Sequence, residues 1–164
     1  RDFVCDYLHI CGGDIRDAKT GNGNFLTRAN PTAVARRFKM PTVEVDSTLF
    51  ALSLTGVNLT DAMFQPTFFL EGGLDTLYTY EPTRSNSAFN GKPLAWRYAD
   101  PKPIPEQGPV AIFGFPLHRM KEGRPWAGPD TSSAPGTNMQ GMVSSMVWWF
   151  KQHQYRAQQY LSVK

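Results

Sequence analysis

The chain has 164 residues, of which 41% are hydrophobic, and carries 17 basic against 14 acidic side chains. A chain of this length buries roughly 70% of the surface that its unfolded form exposes, so it can form a core without the disulfides or metals that stabilise mini-proteins. Its densest apolar run, Met142 to Phe150, is far shorter than the roughly 20 residues of a membrane-spanning helix. The composition therefore predicts one globular domain over residues 1–164, with no transmembrane span.

The two ends of the chain differ in character. The chain starts at Arg1 without an initiator Met, which favours a processed N-terminus, as in an organellar or otherwise targeted protein, and leaves the compartment open.

Charge is unevenly distributed along the chain. Residues 1–130 hold 14 basic and 14 acidic side chains, whereas residues 131–164 hold three basic ones and no acid. This modest charge suits an acidic protein face or lipid headgroups better than nucleic acid, which requires a denser basic surface.

Residues 1–40 predict turns and short helices. Apolar residues from Phe3 to Ile10 recur at helical spacing and stop at Gly12-Gly13, as in a helix closed by glycine. Asn30-Pro31-Thr32 offers a cap and an early proline for a helix over Ala33 to Phe38.

One short segment of this region has a recognisable pattern. It reads Thr32-Ala33-Val34-Ala35-Arg36-Arg37-Phe38-Lys39-Met40. This segment resembles the second helix and turn of helix-turn-helix proteins, which implies DNA binding by a degenerate helix-turn-helix at 32–50 as an alternative function. Lys39 replaces the usual turn glycine, and the residues that follow are strand-like. Glu44 and Asp46 stand where phosphate contacts would be needed.

Residues 41–80 predict β hairpins. β-branched and apolar residues alternate near Val43 and over residues 48–54, and again from Leu74 to Tyr80. We expect short antiparallel strands there, with a hairpin turning at Gly72-Gly73.

Residues 81–136 form a long Pro/Gly-rich segment that we expect to be extended and irregular. Ten of the 13 prolines lie within residues 82–136, and proline removes ladder donors and breaks helices. One apolar run, at 110–115, predicts a buried strand. The aromatic residues of this segment argue against disorder, so it needs a surface to lie on, in its own domain or in a neighbour.

The C-terminal region, 137–164, predicts an amphipathic helix over about 138–161. Its apolar residues follow steps of three, four or seven, from Met139 to Leu161. Trp148 and Trp149 are adjacent and point roughly 100° apart, so one of them widens the apolar stripe beyond a single packing face. Together the segments predict an α+β fold with low regular content, and the wide stripe predicts a second partner for the helix.

Few residues of the sequence are candidates for a metal site or a catalytic site. Cys5, His9 and Cys11 form the one compact group of metal-ligating types, and a small enzyme or metal-binding module using them is a further alternative. Zinc requires four ligands, however, and the spacing C-x3-H-x-C matches no standard zinc module. No nucleophile, phosphate-binding or cofactor motif is present in the sequence, so we expect neither catalysis nor a cofactor.

The preferred hypothesis is a non-catalytic structural or accessory subunit of a larger protein assembly. Interfaces are enriched in Trp, Tyr, Phe, Met and Arg, and the chain holds these types in its extended segment and C-terminal helix. The partner-binding residues we expect are Trp96, Trp126, Trp148, Trp149, Phe150 and Arg156. A helix with Trp at its apolar edge and three cations also suits a membrane surface, but the cations are sparse, so other protein subunits are the expected partners.

Overall fold

The computed structural model has an α+β fold of low regular content, as the sequence predicts. In the part of the chain that it describes, a curled five-stranded antiparallel sheet, a two-stranded sheet and a long C-terminal helix are the main elements. The described residues are 14–17, 26–46, 48, 62–65, 74–87, 89–99, 108–115, 117–129 and 134–162.

The strands form two sheets. Their bounds are β1 (Asp14–Asp17), β2 (Leu26–Pro31), β3 (Val43–Glu44), β4 (Ala62–Gln65), β5 (Leu74–Pro82), β6 (Pro93–Tyr98) and β7 (Val110–Phe113). The larger sheet has the order β3-β2-β5-β6-β7, and each neighbouring pair is antiparallel. β1 pairs with β4 in the smaller sheet. The short antiparallel strands expected in 43–80 and at 110–115 are confirmed by β3, β4, β5 and β7. The last of these is a half-buried edge strand and not the buried strand that its apolar run predicts.

Two inner strands lie where the sequence predicts none. β2 includes Asn30 and Pro31, which the sequence assigns to a helix start; Pro31 is the last residue of the strand. β6 lies inside the Pro/Gly-rich segment and begins at Pro93. A proline at the end of a strand leaves the inner ladder bonds intact, so both strands form despite their prolines. The extended segment is therefore less irregular than we expect from its composition.

A short helix, α1 (Ala33–Arg37), follows β2 where the sequence predicts one. Thr32 caps it, because its Oγ1 accepts a hydrogen bond from the backbone N–H of Ala35 at 3.3 Å. Lys39 then turns the chain with a φ of 61°, and β3 pairs with β2 directly afterwards. A helix-turn-helix needs a second helix after this corner, whereas the residues at 43–44 form a strand.

The long helix, α2 (Asn138–Ser162), packs across the sheet and completes the core. Its first half contributes Met142, Met146 and Trp149, which are buried with residues of the sheet. The sheet side of this core includes Val43, Leu77, Tyr78, Tyr80, Leu94, Ala95 and Phe115. The helix predicted at about 138–161 is thus confirmed, with bounds one residue longer.

The aromatic residues of the Pro/Gly-rich segment mostly lie on the chain's own domain. Trp96, Tyr98 and Phe115 are buried. Phe113 and Phe115 contact the Tyr78 ring at centroid distances of 6.3 and 5.9 Å. Packing of this kind offsets the backbone entropy that an extended segment loses on folding. Trp126 is half-buried and lies outside the hydrophobic core cluster, whereas the half-buried Phe113 packs against that cluster.

Several sequence-based predictions fall outside the described residues. These are the N-terminal helix near Phe3, the cluster of Cys5, His9 and Cys11, most of the strand at 48–54, and the turn at Gly72-Gly73. Within the described ranges, no helix is both long enough and apolar enough to cross a bilayer.

Candidate functional site

An open groove runs along the side of α2 that faces away from the core. One wall is the loop at 125–128, and the other is the outer face of α2 from Met139 to Lys151. We call it the α2 groove. Its volume is about 650 Å³, and most of its lining is apolar. Val143 and Val147 lie in its wall with 40% and 48% of their surface exposed, the largest exposures of any large hydrophobic residues in the described part of the chain.

The groove exists because α2 has apolar residues on two different faces. Met142, Met146 and Trp149 lie on one stripe and enter the core. Val143 and Val147 lie one position further along at the same spacing, and at 100° per residue they point away from the core towards the groove. The two adjacent tryptophans lie on different faces: Trp149 is 2% exposed in the core, whereas Trp148 lines the groove.

Two tryptophans connect the walls of the groove. The Trp126 ring from the loop meets the Trp148 ring from α2 edge to face, with centroids 5.5 Å apart and planes at 72°. Such a pair contributes about 0.5–1.5 kcal/mol beyond the area it buries. The loop wall is thus held against the helix by side chains that are half-buried.

Backbone contacts also fix the loop to the helix. Trp126 N–H donates to Ser144 Oγ at 2.7 Å, and the Ser144 hydroxyl lies 2.9 Å from Gln140 O, within reach to donate to it. Before the loop, Arg124 N–H donates to Thr137 Oγ1 at 3.0 Å, and Thr137 N–H donates to Arg124 O at 2.8 Å. These bonds hold the loop wall beside the first turns of α2.

Two glycines, Gly136 and Gly141, allow the backbone before α2 to lie close to its first turn and to the loop. A Cβ on Gly136 would lie 2.5 Å from Gly141 Cα and 2.8 Å from Trp126 N. A Cβ on Gly141 would meet Gly136 at 2.5 Å and Pro41 Cγ at 3.0 Å. Real Cβ atoms do not approach so closely, so the geometry of the groove wall depends on these glycines.

The opposite face of α2 is fixed to the sheet by Arg97. Its Nε and Nη2 donate to Asp75 Oδ2 at 3.0 and 2.7 Å. Its guanidinium lies 4.0 Å from the Phe38 ring centroid and 5.0 Å from that of Trp149. A cation between two aromatic faces is stabilised by their quadrupoles. Arg97 thus joins the sheet to the end of α1 and to the buried face of α2.

The start of α2 is held by β3 and the segment before the groove loop. Asn138 Oδ1 accepts from Glu44 N–H at 3.1 Å. Lys121 Nζ donates to Glu44 Oε2 at 2.6 Å, and this hydrogen bond holds the pKa of the Glu44 carboxyl below its usual value. Gln140 Nε2 donates to Glu122 Oε1 at 3.0 Å. Each of these acidic side chains near the start of α2 therefore already has a hydrogen-bond partner: Lys121 for Glu44, and Gln140 for Glu122.

The lining of the α2 groove carries charge of one sign, and the carboxylate of Glu122 lies beside it, bonded to the lining residue Gln140. Lys151 is the ionisable residue in the groove lining, and it is exposed. None of the ion pairs among the described residues involves it. The chain from residue 131 onward contains no Asp or Glu. The site consequently offers an apolar floor with a cation at one end and no carboxylate in its lining.

The structure separates the six residues that the sequence predicts for partner binding. Trp126 and Trp148 meet in the groove, although they are far apart in sequence. Trp96 and Trp149 are buried in the chain's own fold, and Phe150 packs against the same core. The side chain of Arg156 lies outside the described part of α2.

The groove also contains residues that the sequence prediction does not name. Val143, Val147 and Lys151 lie at i, i+4 and i+8 on α2, a helical spacing that is visible in the sequence as a second apolar stripe ending in a cation. Among the described residues, no group of three His, Cys, Asp or Glu side chains is placed to hold a metal. Comparison of the chain with protein-family models, curated proteins and solved structures found no match.

Proposed function

We propose that this chain is a non-catalytic structural or accessory subunit of a larger protein assembly, and that the α2 groove is its contact with another protein. The proposal is carried by one observation: Val143 and Val147, the most exposed large hydrophobic side chains of the described residues, lie in one groove beside Trp126 and Trp148. Contiguous exposed apolar residues in a concave site support an interaction surface better than scattered ones do.

The build of the groove supports this proposal. A loop that served only as a connection would need no fixed position, yet the loop at 125–128 is attached to α2 by the Trp126 N–H to Ser144 bond and by the tryptophan pair. Tryptophan is enriched in binding hot spots because it buries a large area with few rotatable bonds. A surface fixed before binding loses less entropy when a partner binds.

Photo-crosslinking in cells of the natural source tests the proposal. The full chain carries p-benzoylphenylalanine in place of Val147, at the groove, or in place of Lys92, which is exposed before β6 and is not among the groove-lining residues. We expect an adduct of one discrete mass from position 147 and no such adduct from position 92. Absence of an adduct at 147, or the same adducts from both positions, contradicts a partner at the groove.

A further inference from the structure

We infer that the partner segment in the α2 groove is a short, acidic amphipathic helix of another protein, with apolar side chains for the groove floor and a carboxylate for Lys151. This inference rests on the proposed function and specifies the chemistry of its partner. The inference is based on the position of Val143, Val147 and Lys151, which lie on one face of α2 opposite the loop at 125–128.

The size of the groove favours a short segment. Eleven of the described residues line it, whereas a standard protein–protein interface uses about 20–30 residues on each side. Val143 and Lys151 are eight residues apart, which is about 12 Å along a helix. A partner of roughly two helical turns therefore spans the groove from its apolar end to its cation.

The loop wall favours a helix over an added strand. Strand addition requires free backbone donors and acceptors along the receiving edge. Pro125 has no N–H, and the N–H of Trp126 already donates to Ser144. A helix satisfies its own backbone and presents apolar side chains at i and i+4, which match the spacing of Val143 and Val147 on the receiving face.

The positive charge of Lys151 favours a partner segment that carries negative charge. Lys151 has no ion-pair partner among the described residues, and the chain from residue 131 onward has three cations and no acid. A carboxylate beside Lys151 would therefore be attracted, and a cation there would be repelled. The same argument disfavours a second copy of this chain, because a symmetric contact would place two basic helices against each other.

Selection from a peptide library tests the inference even though the partner protein is unidentified. The full wild-type chain is immobilised, and a phage-displayed library of random 16-residue peptides is selected on it, with counter-selection against the Val147→Asp variant. We expect enriched peptides with apolar residues at i and i+3 or i+4 and an Asp or Glu about one turn away. Since Val147 is half-exposed, the variant should keep the wild-type circular dichroism spectrum, and Val143→Asp provides an independent second counter-selection.

Affinities of one enriched peptide for matched variants test the charge. Lys151→Gln should weaken binding about two- to fivefold, as expected for one exposed ion pair, and Lys151→Arg should retain it. Lys92→Gln removes an exposed cation elsewhere on the surface and should have no effect. Enriched peptides without acids, or equal affinities for wild type and Lys151→Gln, overturn the inference.

Three further outcomes overturn the inference in distinguishable ways. Failure to enrich peptides that depend on Val147 excludes a short segment, while a crosslink from position 147 would still support the proposed function. A wild-type dimer in sedimentation velocity that Val147→Asp dissociates identifies a second copy as the occupant. Binding to vesicles of phosphatidylcholine and phosphatidylserine that Val147→Asp abolishes identifies a lipid surface.

Discussion

Arg97 connects the sheet to α1 and α2 through its side chain. Its side chain is 12% exposed, donates twice to Asp75 and lies between the Phe38 and Trp149 rings. Arg28 makes a comparable ion pair with Glu81 on the same sheet, but its side chain is 46% exposed. The two arginines therefore allow the same change to be compared in a covered and in an open environment.

We predict that Arg97→Met destabilises the fold by about 1–3 kcal/mol, because it removes charge-assisted hydrogen bonds and cation–π contacts. Arg28→Met should cost less than about 1 kcal/mol, as is usual for exposed ion pairs. Urea unfolding of both variants measures the difference. Equal losses of unfolding free energy would show that Arg97 is only another surface ion pair.

Buried tyrosines make the fold sensitive to alkaline pH. Burial raises the pKa of the Tyr78 and Tyr80 phenols well above their usual value. The folded state keeps both phenols neutral, whereas the unfolded chain ionises them from about pH 10 upward. The free energy of unfolding is therefore unaffected by these groups below pH 10 and falls as the pH rises above it.

We predict that, in alkaline titration, the phenolate absorbance of these two tyrosines appears together with the loss of circular dichroism. Tyr78→Phe should make the alkaline decrease in stability shallower. At neutral pH it should cost about 1 kcal/mol, because the Tyr78 hydroxyl donates to Pro41 O at 2.8 Å. An unchanged pH dependence in Tyr78→Phe would exclude Tyr78 as a source of the effect.

The helix α2 has one face in the core and another in the α2 groove. Met146 is 5% exposed within the core, and its neighbour Val147 is half-exposed in the groove. The same substitution at these adjacent positions should therefore destabilise the fold strongly at Met146 and hardly at all at Val147. A charge in the core loses its hydration without a partner, whereas a charge in the open groove remains in water.

We predict that Met146→Asp unfolds the chain or lowers its unfolding free energy by more than about 3 kcal/mol, whereas Val147→Asp changes it by less than about 0.5 kcal/mol. Thermal and urea unfolding measure both effects. A large loss of stability in Val147→Asp would place that side chain in the core, and the groove would then not be an open binding face.

The sequence predicts elements where one local signal dominates. Helical spacing in the C-terminal region predicts α2 to within a residue, and the Thr32 cap with Pro41 beyond it brackets α1. The sequence does not predict β2 and β6, because Pro31 and Pro93 indicate a turn or an irregular segment when only neighbouring residues are considered. Each proline lies at a strand end, and only the pairing partners in the sheet determine that position.

At the scale of the whole molecule, the site is only partly predictable from sequence. The separation of Trp148 from Trp149 on different faces follows from helix geometry alone. The contact of Trp126 with Trp148 depends on the return of the chain through Gly136 and on the bond from Trp126 to Ser144. Such long-range contacts have no local signature, so Trp96 and Trp149 appear equally suitable in the sequence although the fold buries both.

We propose that the core covers one apolar face of α2 and that a partner protein covers the other. Thiol labelling tests it most directly, using Val147→Cys and, as an exposed control, Lys92→Cys, in chains whose Cys5 and Cys11 are replaced by Ser. We predict that position 147 reacts with a maleimide in the purified chain but is protected in cells of the natural source, while position 92 reacts in both. Equal labelling of position 147 in both settings would contradict the claim.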